Sequence, residues 1–165
     1  IEDYAPEEIK LVNAIAAMPR SDTRREIGDK MRKRGYQFAT LIHPSAIVAK
    51  SVIIEEGVQI MAGSVIQSGT KIGIDSIINT NASIDHDCSI GKSVHIAPGV
   101  TMSGNVTIDD YAHVGTGTSI IQGIKIGKAS IIAAGSVIYS DVVENHKFIQ
   151  HKSELPTQHK AKRER

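Results

Sequence analysis

The segment Ser83 to Gly91 reads SIDHDCSIG and sets one histidine, His86, between two carboxylates, Asp85 and Asp87. An imidazole with an ordinary pKa of about 6.5 is mostly neutral at cellular pH and can accept a proton from an attacking amine or hydroxyl. A neighbouring carboxylate can orient the ring and stabilise its charged form. Spacing alone does not choose between Asp85 and Asp87. Eighteen residues further on stands Gly104, where the missing side chain would let a substrate approach the backbone closely. His95 and His113 are a second pair, also eighteen apart, and so are Thr80, Pro98, Thr116 and Ala134.

The recurrence of eighteen has a structural origin. From Ile42 in steps of six the chain gives Ile42, Val48, Ile54, Ile60 and so on to Ile138, and all seventeen positions are Ile, Val or Met. Four residues after each, the side chain is small or β-branched, as at Ala46, Ser64, Thr70, Cys88 and Thr118, with Ile124 the larger exception. A period of six fits neither a helix nor an alternating strand, but it suits a β-solenoid with three flat faces, one hexapeptide to a face. Three hexads close one coil of eighteen residues, and the run from 42 to 138 makes about five coils, ~25 Å of prism at the interstrand spacing. No residue is inserted in the run, so no loop is expected to interrupt it. In this frame His86 is the third residue of its hexad, at a corner and facing outward, and Gly104 stacks one coil above it. Thr80, Pro98, Thr116 and Ala134 form a ladder along another edge.

Composition places few other demands. The chain has 165 residues, a formal charge of +1 and 22% charged residues, which gives no sign of nucleic acid as a partner. Its single Cys88 rules out an internal disulfide and a thiolate metal cluster and fits a reducing compartment, with the cytoplasm as the expectation. No apolar run reaches the ~18 residues of a membrane span, and no membrane partner is expected. The chain begins with Ile1 rather than Met, which suggests that a preceding segment has been removed.

The hexads, with IHPSAIV, INTNASIDHDCSIG, VHIAPGVTMSGNVTI and VGTGTSII, resemble the hexapeptide-repeat sugar acetyltransferases of bacterial glycan biosynthesis, which include sialic acid O-acetyltransferases and nucleotide-amino-sugar N-acetyltransferases. The likeness runs from about Leu11 to Ile138. It implies a mainly β fold, a left-handed parallel β-helix preceded by a partial α/β Rossmann-like segment, and a homotrimer. It also implies acetyl-CoA as co-substrate, an amine or hydroxyl of a sugar or nucleotide-sugar as acceptor, and no metal. His86 then matches the catalytic general base and Asp87 its orienting carboxylate. Gly104 matches the N–H donor to the thioester oxygen, while His95, Gly104, Thr116 and Ala134 match contacts to the cofactor. His113 matches no family role, and a solvated surface position is the expectation.

The same resemblance divides the chain into a Rossmann-like remnant over 1–41, the β-helix over 42–142 and a polar tail over 143–165. Within the first part, KLVNAIAAM reads as a strand and SDTRREIGDKMRKRG as a helix with Ser21 as N-cap, followed by a strand in YQFATLI. The strand and glycine-rich turn that open this domain in the family are absent. Two other classes share the architecture: a zinc carbonic anhydrase, whose histidine arrangement the spacings 86, 95 and 113 do not match, and a structural solenoid without chemistry.

Overall fold

A computed structural model describes residues 4–19 and 21–149 of the chain. Each hexad forms a two-residue strand followed by a corner, and each strand pairs in parallel with the one eighteen residues away: His95 with His113, Ser83 with Thr101, Ser89 with Thr107. The result is a prism with three faces. Face A runs from Leu41–Ile42 through His95–Ile96 and His113–Val114 and has seven strands. Face B, with Ser83–Ile84 at its middle, has six, and face C, with Ser89–Ile90, has five.

Burial explains why the period must be six. From Ile60 to Ile138 every aliphatic position of the series is at most 3% exposed, whereas Ile42, at the open end of the prism, is 48% exposed. Each buried side chain of this size contributes roughly 1.5–3 kcal/mol. The small residue four places later is equally buried, and where it is polar its hydroxyl donates to a backbone carbonyl, of the coil above in most cases and of its own corner at Ser136. Ser64 donates to the Asn79 carbonyl at 2.8 Å and Ser76 to the Gly91 carbonyl at 2.7 Å. A buried hydroxyl without such a partner would cost about 1–3 kcal/mol, so these positions demand a short side chain that reaches one carbonyl.

The prism continues beyond the expected boundary at 142. Val142 bridges to Ile126, and Lys147–Phe148 pairs with Ile131–Ile132, a register of sixteen rather than eighteen. The corner after Ile138 is two residues short, and the hexad resumes as Val142 and Phe148. Residues 143–149 therefore extend the solenoid towards a sixth coil, and only 150–165 of the expected tail lie outside the described residues.

Before the prism stands a small unit of β1 (Lys10–Leu11), α1 (Thr23–Lys33) and β2 (Gln37–Phe38), with the two strands parallel. The expected strand over KLVNAIAAM shrinks to its first two residues because Asn13 turns inward. Its side-chain amide donates to the Arg24 carbonyl at 2.9 Å, and its own carbonyl accepts from Gln59 at 2.9 Å and from Arg24. The helix starts at Thr23, and Asp22, not Ser21, precedes it without making a side-chain cap; Asp22 pairs with Arg25 at 3.1 Å instead. Met31, Tyr36 and Phe38 form this unit's own core. Arg32 locks it to the prism by two bonds to Asp75, at 2.6 and 2.8 Å, and a longer one to Glu56, which also accepts the Phe38 N–H.

Candidate active site

The corner between faces B and C carries His86 and Asp87. Asp87 adopts the left-handed conformation, with φ 57°, which Asn and Asp tolerate better than most residues. That twist turns its carboxylate back onto the residue before it, and Oδ2 lies 2.8 Å from Nδ1 of His86. Asp85 takes the other task, accepting the His86 backbone N–H on Oδ1 at 2.8 Å. Geometry thus separates the two carboxylates that spacing could not: Asp87 holds the ring and Asp85 holds the turn.

A carboxylate can only accept, so the neutral ring carries its proton on Nδ1 and leaves Nε2 with a free lone pair. The hydrogen bond that His86 donates to Asp87 raises its pKa above the ordinary value, with Asp85 adding its charge. The side chain is 53% exposed, open to a substrate. Below it Gly69 makes room, since a Cβ there would run into the Asp87 carboxylate. Gly69 stands eighteen residues before Asp87, so the coil period by itself pairs the two.

Above it lies Gly104. A Cβ on Gly104 would sit 2.7 Å from both Cε1 and Nε2 of His86, so the ring rests directly against the glycine. Among the described residues the Gly104 N–H makes no hydrogen bond. A free basic nitrogen and a free backbone donor therefore share one spot at the prism edge. Gly104→Ala is expected to keep the fold, because no positive φ has to be relieved there, but to push the ring aside and lower by about 10²-fold the rate of a reaction in which Nε2 acts as the base. Paired rate and melting measurements check this; an unaltered rate would mean that the ring moves away at no cost.

The other candidate residues lie elsewhere on the prism. Thr80, Pro98, Thr116 and Ala134 do stack along the edge between faces A and B, linked through the N–H groups of Gly99, Gly117 and Gly135, which donate to the carbonyls of Thr80, Pro98 and Thr116 at 3.0, 3.0 and 2.8 Å. Thr116 and Ala134 are exposed. His95 projects from face A, so within one chain it does not meet His86. Its Nδ1 donates to the Ala17 carbonyl at 3.0 Å, which leaves Nε2 to accept from the Asn79 amide at 3.2 Å. The amide is oriented by its oxygen, which accepts the Thr80 N–H.

His113 corrects an expectation. It is not a solvated surface residue: its ring packs edge-on against His95, with centroids 4.7 Å apart, and burial followed by the His95 charge pushes its pKa down to about 4. Burial also lowers the pKa of His95. The cause is the N-terminal unit, whose residues Ala17 to Pro19 cover this part of face A and enclose a cavity of about 440 Å³ with both histidines in its wall. Among the described residues no three His, Cys, Asp or Glu side chains cluster as a metal would require. Cys88 is buried beneath the corner, its thiol against the Ser103 carbonyl and its pKa raised by desolvation.

No protein-family model matches the chain. Solved structures do. The acetyltransferase domain of PglB from Neisseria gonorrhoeae, in complex with acetyl coenzyme A, is 34% identical over 88% of this chain and 70% of its own, with a TM-score of 0.82. PerB from Caulobacter crescentus, in complex with CoA and GDP-perosamine, is 37% identical over 79% of this chain, with a TM-score of 0.76. WeeI from Acinetobacter baumannii is 29% identical, with a TM-score of 0.74 over 79% of this chain. The chain spans 63% of PerB and 64% of WeeI, under two thirds of either. The prism is the left-handed parallel β-helix of hexapeptide-repeat proteins. More narrowly, the chain belongs to the hexapeptide-repeat sugar acetyltransferase family.

Proposed function

We propose that this chain transfers an acetyl group from acetyl-CoA to an amine or hydroxyl of a sugar, with a nucleotide-linked amino sugar as the favoured acceptor class and His86 as general base. The observation that carries the reading is the His86 ring, held by Asp87 at Nδ1, with its free Nε2 against Gly104. Nε2 takes the proton from the acceptor as its nitrogen or oxygen attacks the thioester carbon. The Asp87 carboxylate stabilises the imidazolium so formed, and the Gly104 N–H donates to the oxyanion of the tetrahedral intermediate. The C–S bond then breaks, and the imidazolium supplies the proton that the leaving thiolate takes up. Acetyl-CoA is a co-substrate here, and no bond to the protein forms.

The structures of PglB with acetyl coenzyme A and of PerB with CoA and GDP-perosamine support this choice of substrates. In this reading His95, Thr116 and Ala134 line the path of the CoA arm. Their place on face A and on the edge between faces A and B, away from His86, is what a homotrimer of side-by-side prisms would use, with His86 of one protomer facing the ladder of the next. The remnant over 1–41 contributes to acceptor binding, and the setting is bacterial glycan synthesis in the cytoplasm. No helix among the described residues is long and apolar enough to cross a membrane.

The test is a panel of nucleotide-linked amino sugars and sialic acids offered with acetyl-CoA. Thiol release and product mass are the readouts, and light scattering of the same preparation is expected at three times the chain mass. Thiol release no faster than acetyl-CoA hydrolysis with every acceptor would end the proposal.

A further inference from the structure

The His86 corner rests on a column of residues eighteen apart, Ser51, Gly69 and Asp87, at one position of successive coils. The Ser51 hydroxyl accepts the Gly69 N–H at 3.2 Å, and the Ser68 carbonyl just before the glycine accepts the Asp87 N–H at 2.9 Å. The glycine backbone is therefore held from both sides. A Cβ on Gly69 would run into Oδ1 of Asp87 and lie 3.2 Å from its Cγ. One carboxylate oxygen thus fills the space that a side chain at 69 would take, while the other meets Nδ1 of His86 at 2.8 Å. Seated at both ends, the carboxylate has one orientation.

The corner itself does not demand a glycine. Ser93, Asn105, Tyr111 and Ala129 occupy equivalent corner positions with positive φ, and the residues eighteen before them, Asp75, Asp87, Ser93 and Tyr111, all carry a Cβ. Stacking alone would accept a side chain at 69. A glycine under an Asp recurs where the carboxylate grips a partner: Gly57 lies under Asp75 in the same way, and Asp75 holds Arg32. The next corner supplies a natural control. Ser45, Gly63 and Asn81 repeat the column there, with the Ser45 hydroxyl accepting the Gly63 N–H at 3.1 Å and the Asn81 side chain folded over the glycine, but the residue before Asn81 is Thr80 rather than a histidine.

We propose that Gly69 is a positioning residue of the acetyl-transfer corner: its missing side chain seats the Asp87 carboxylate and, through it, aims Nε2 of His86 at the acceptor. The inference rests on the reading of His86 as general base, and it is tested first on the ring itself, without substrates, so that the two can fail separately. The charged groups facing the ring are Asp85 and Asp87 of its own corner. The coil below presents Gln67, Ser68 and Gly69 and the coil above Ser103, Gly104 and Asn105, none of which titrates, and burial keeps the Cys88 thiol neutral. A displaced Asp87 carboxylate must then appear directly in the titration of His86.

The experiment follows the His86 ring by NMR as pH is varied in wild type, Gly69→Ala and Gly63→Ala, the ring signal being identified by its loss in His86→Gln. Gly69→Ala is expected to lower the midpoint by about half a pH unit or more. Its turnover number at saturating acetyl-CoA should fall by about tenfold. Gly63→Ala adds the same methyl group at a matching φ, 68° against 75°, so it should lose a similar amount of melting temperature and leave the His86 midpoint where it was. That contrast separates a lost seat from a strained turn. Gly69→Asn, whose side chain tolerates a positive φ, serves as the second variant if the alanine protein does not fold. An unchanged His86 midpoint in a folded Gly69 variant, or an equal fall in Gly63→Ala, overturns the proposal.

Discussion

His86→Ala is expected to lower the turnover number by ~10² to 10⁴ while acetyl-CoA affinity stays nearly unchanged, the signature of a lost general base rather than a lost binding contact. The ring is half exposed at a corner and buries little area, so the melting curve should barely shift. Asparagine at 86 cannot accept a proton in the ring's place and should not rescue the rate. Asp87→Ala should cost less, since the proton acceptor survives and only its orientation and charge stabilisation are lost. The pH profile carries the same information. A base must be unprotonated to act, so the rate rises with pH, and the Asp87 hydrogen bond places the midpoint above the ordinary histidine value of about 6.5. The measurement is acetyl transfer at saturating substrates across this range. An alanine variant within threefold of wild type would reduce His86 to a surface residue of the scaffold.

The other large effect is structural. Ile84 is fully buried and sits in register between Ile66 and Met102 of the neighbouring coils, with His86 two residues away. Ile84→Asp places a carboxylate in that column with no partner, a cost of several kcal/mol against the 5–15 kcal/mol that a typical domain has in total. Loss of folding is the expected result, read as absent β signal and recovery only in the insoluble fraction. Ser83→Asp, on the same strand but facing outward, should fold normally. A soluble Ile84→Asp protein with an ordinary melting curve would contradict the register on which the site rests.

How much of this could be read from the chain depends on what kind of interaction fixed each feature. The coil and its corners follow from a six-residue apolar period that burial imposes directly, so His86, Gly104 and the Thr80 to Ala134 edge fell at their observed positions by arithmetic. The same arithmetic broke at Ile138, where a corner lacks two residues; Val142 and Phe148 are still six apart, and a search that tolerated one phase shift would have found the additional coil. The choice between Asp85 and Asp87 needed a backbone angle, because both flank the ring and only the left-handed φ at 87 folds its carboxylate back. His113 was misplaced for another reason. Its burial comes from the segment Ala17 to Pro19, about ninety residues earlier in the chain, and no local pattern encodes that docking. The helix start erred by a smaller margin, as Ser21 offers a capping hydroxyl that the structure spends on Thr23 instead.

The pairing of each strand only with the coils directly above and below has a kinetic meaning. In the prism, contacting residues are separated by about one coil of chain however long the solenoid becomes, so closing each new contact costs the same modest loop entropy. Such a chain has no long-range closure on which its folding must wait. Assembly can begin at any well-packed coil and propagate as a zipper, and it should start in the middle, where Ile84, Ile96 and Met102 are covered from both sides. The first coil, with Ile42 exposed and Val48 only partly buried, has a neighbour on one side only and should open and close many times before the interior does. The His86 corner lies inside this column, more than two coils from that fraying end, so its geometry is held while the end of the prism breathes.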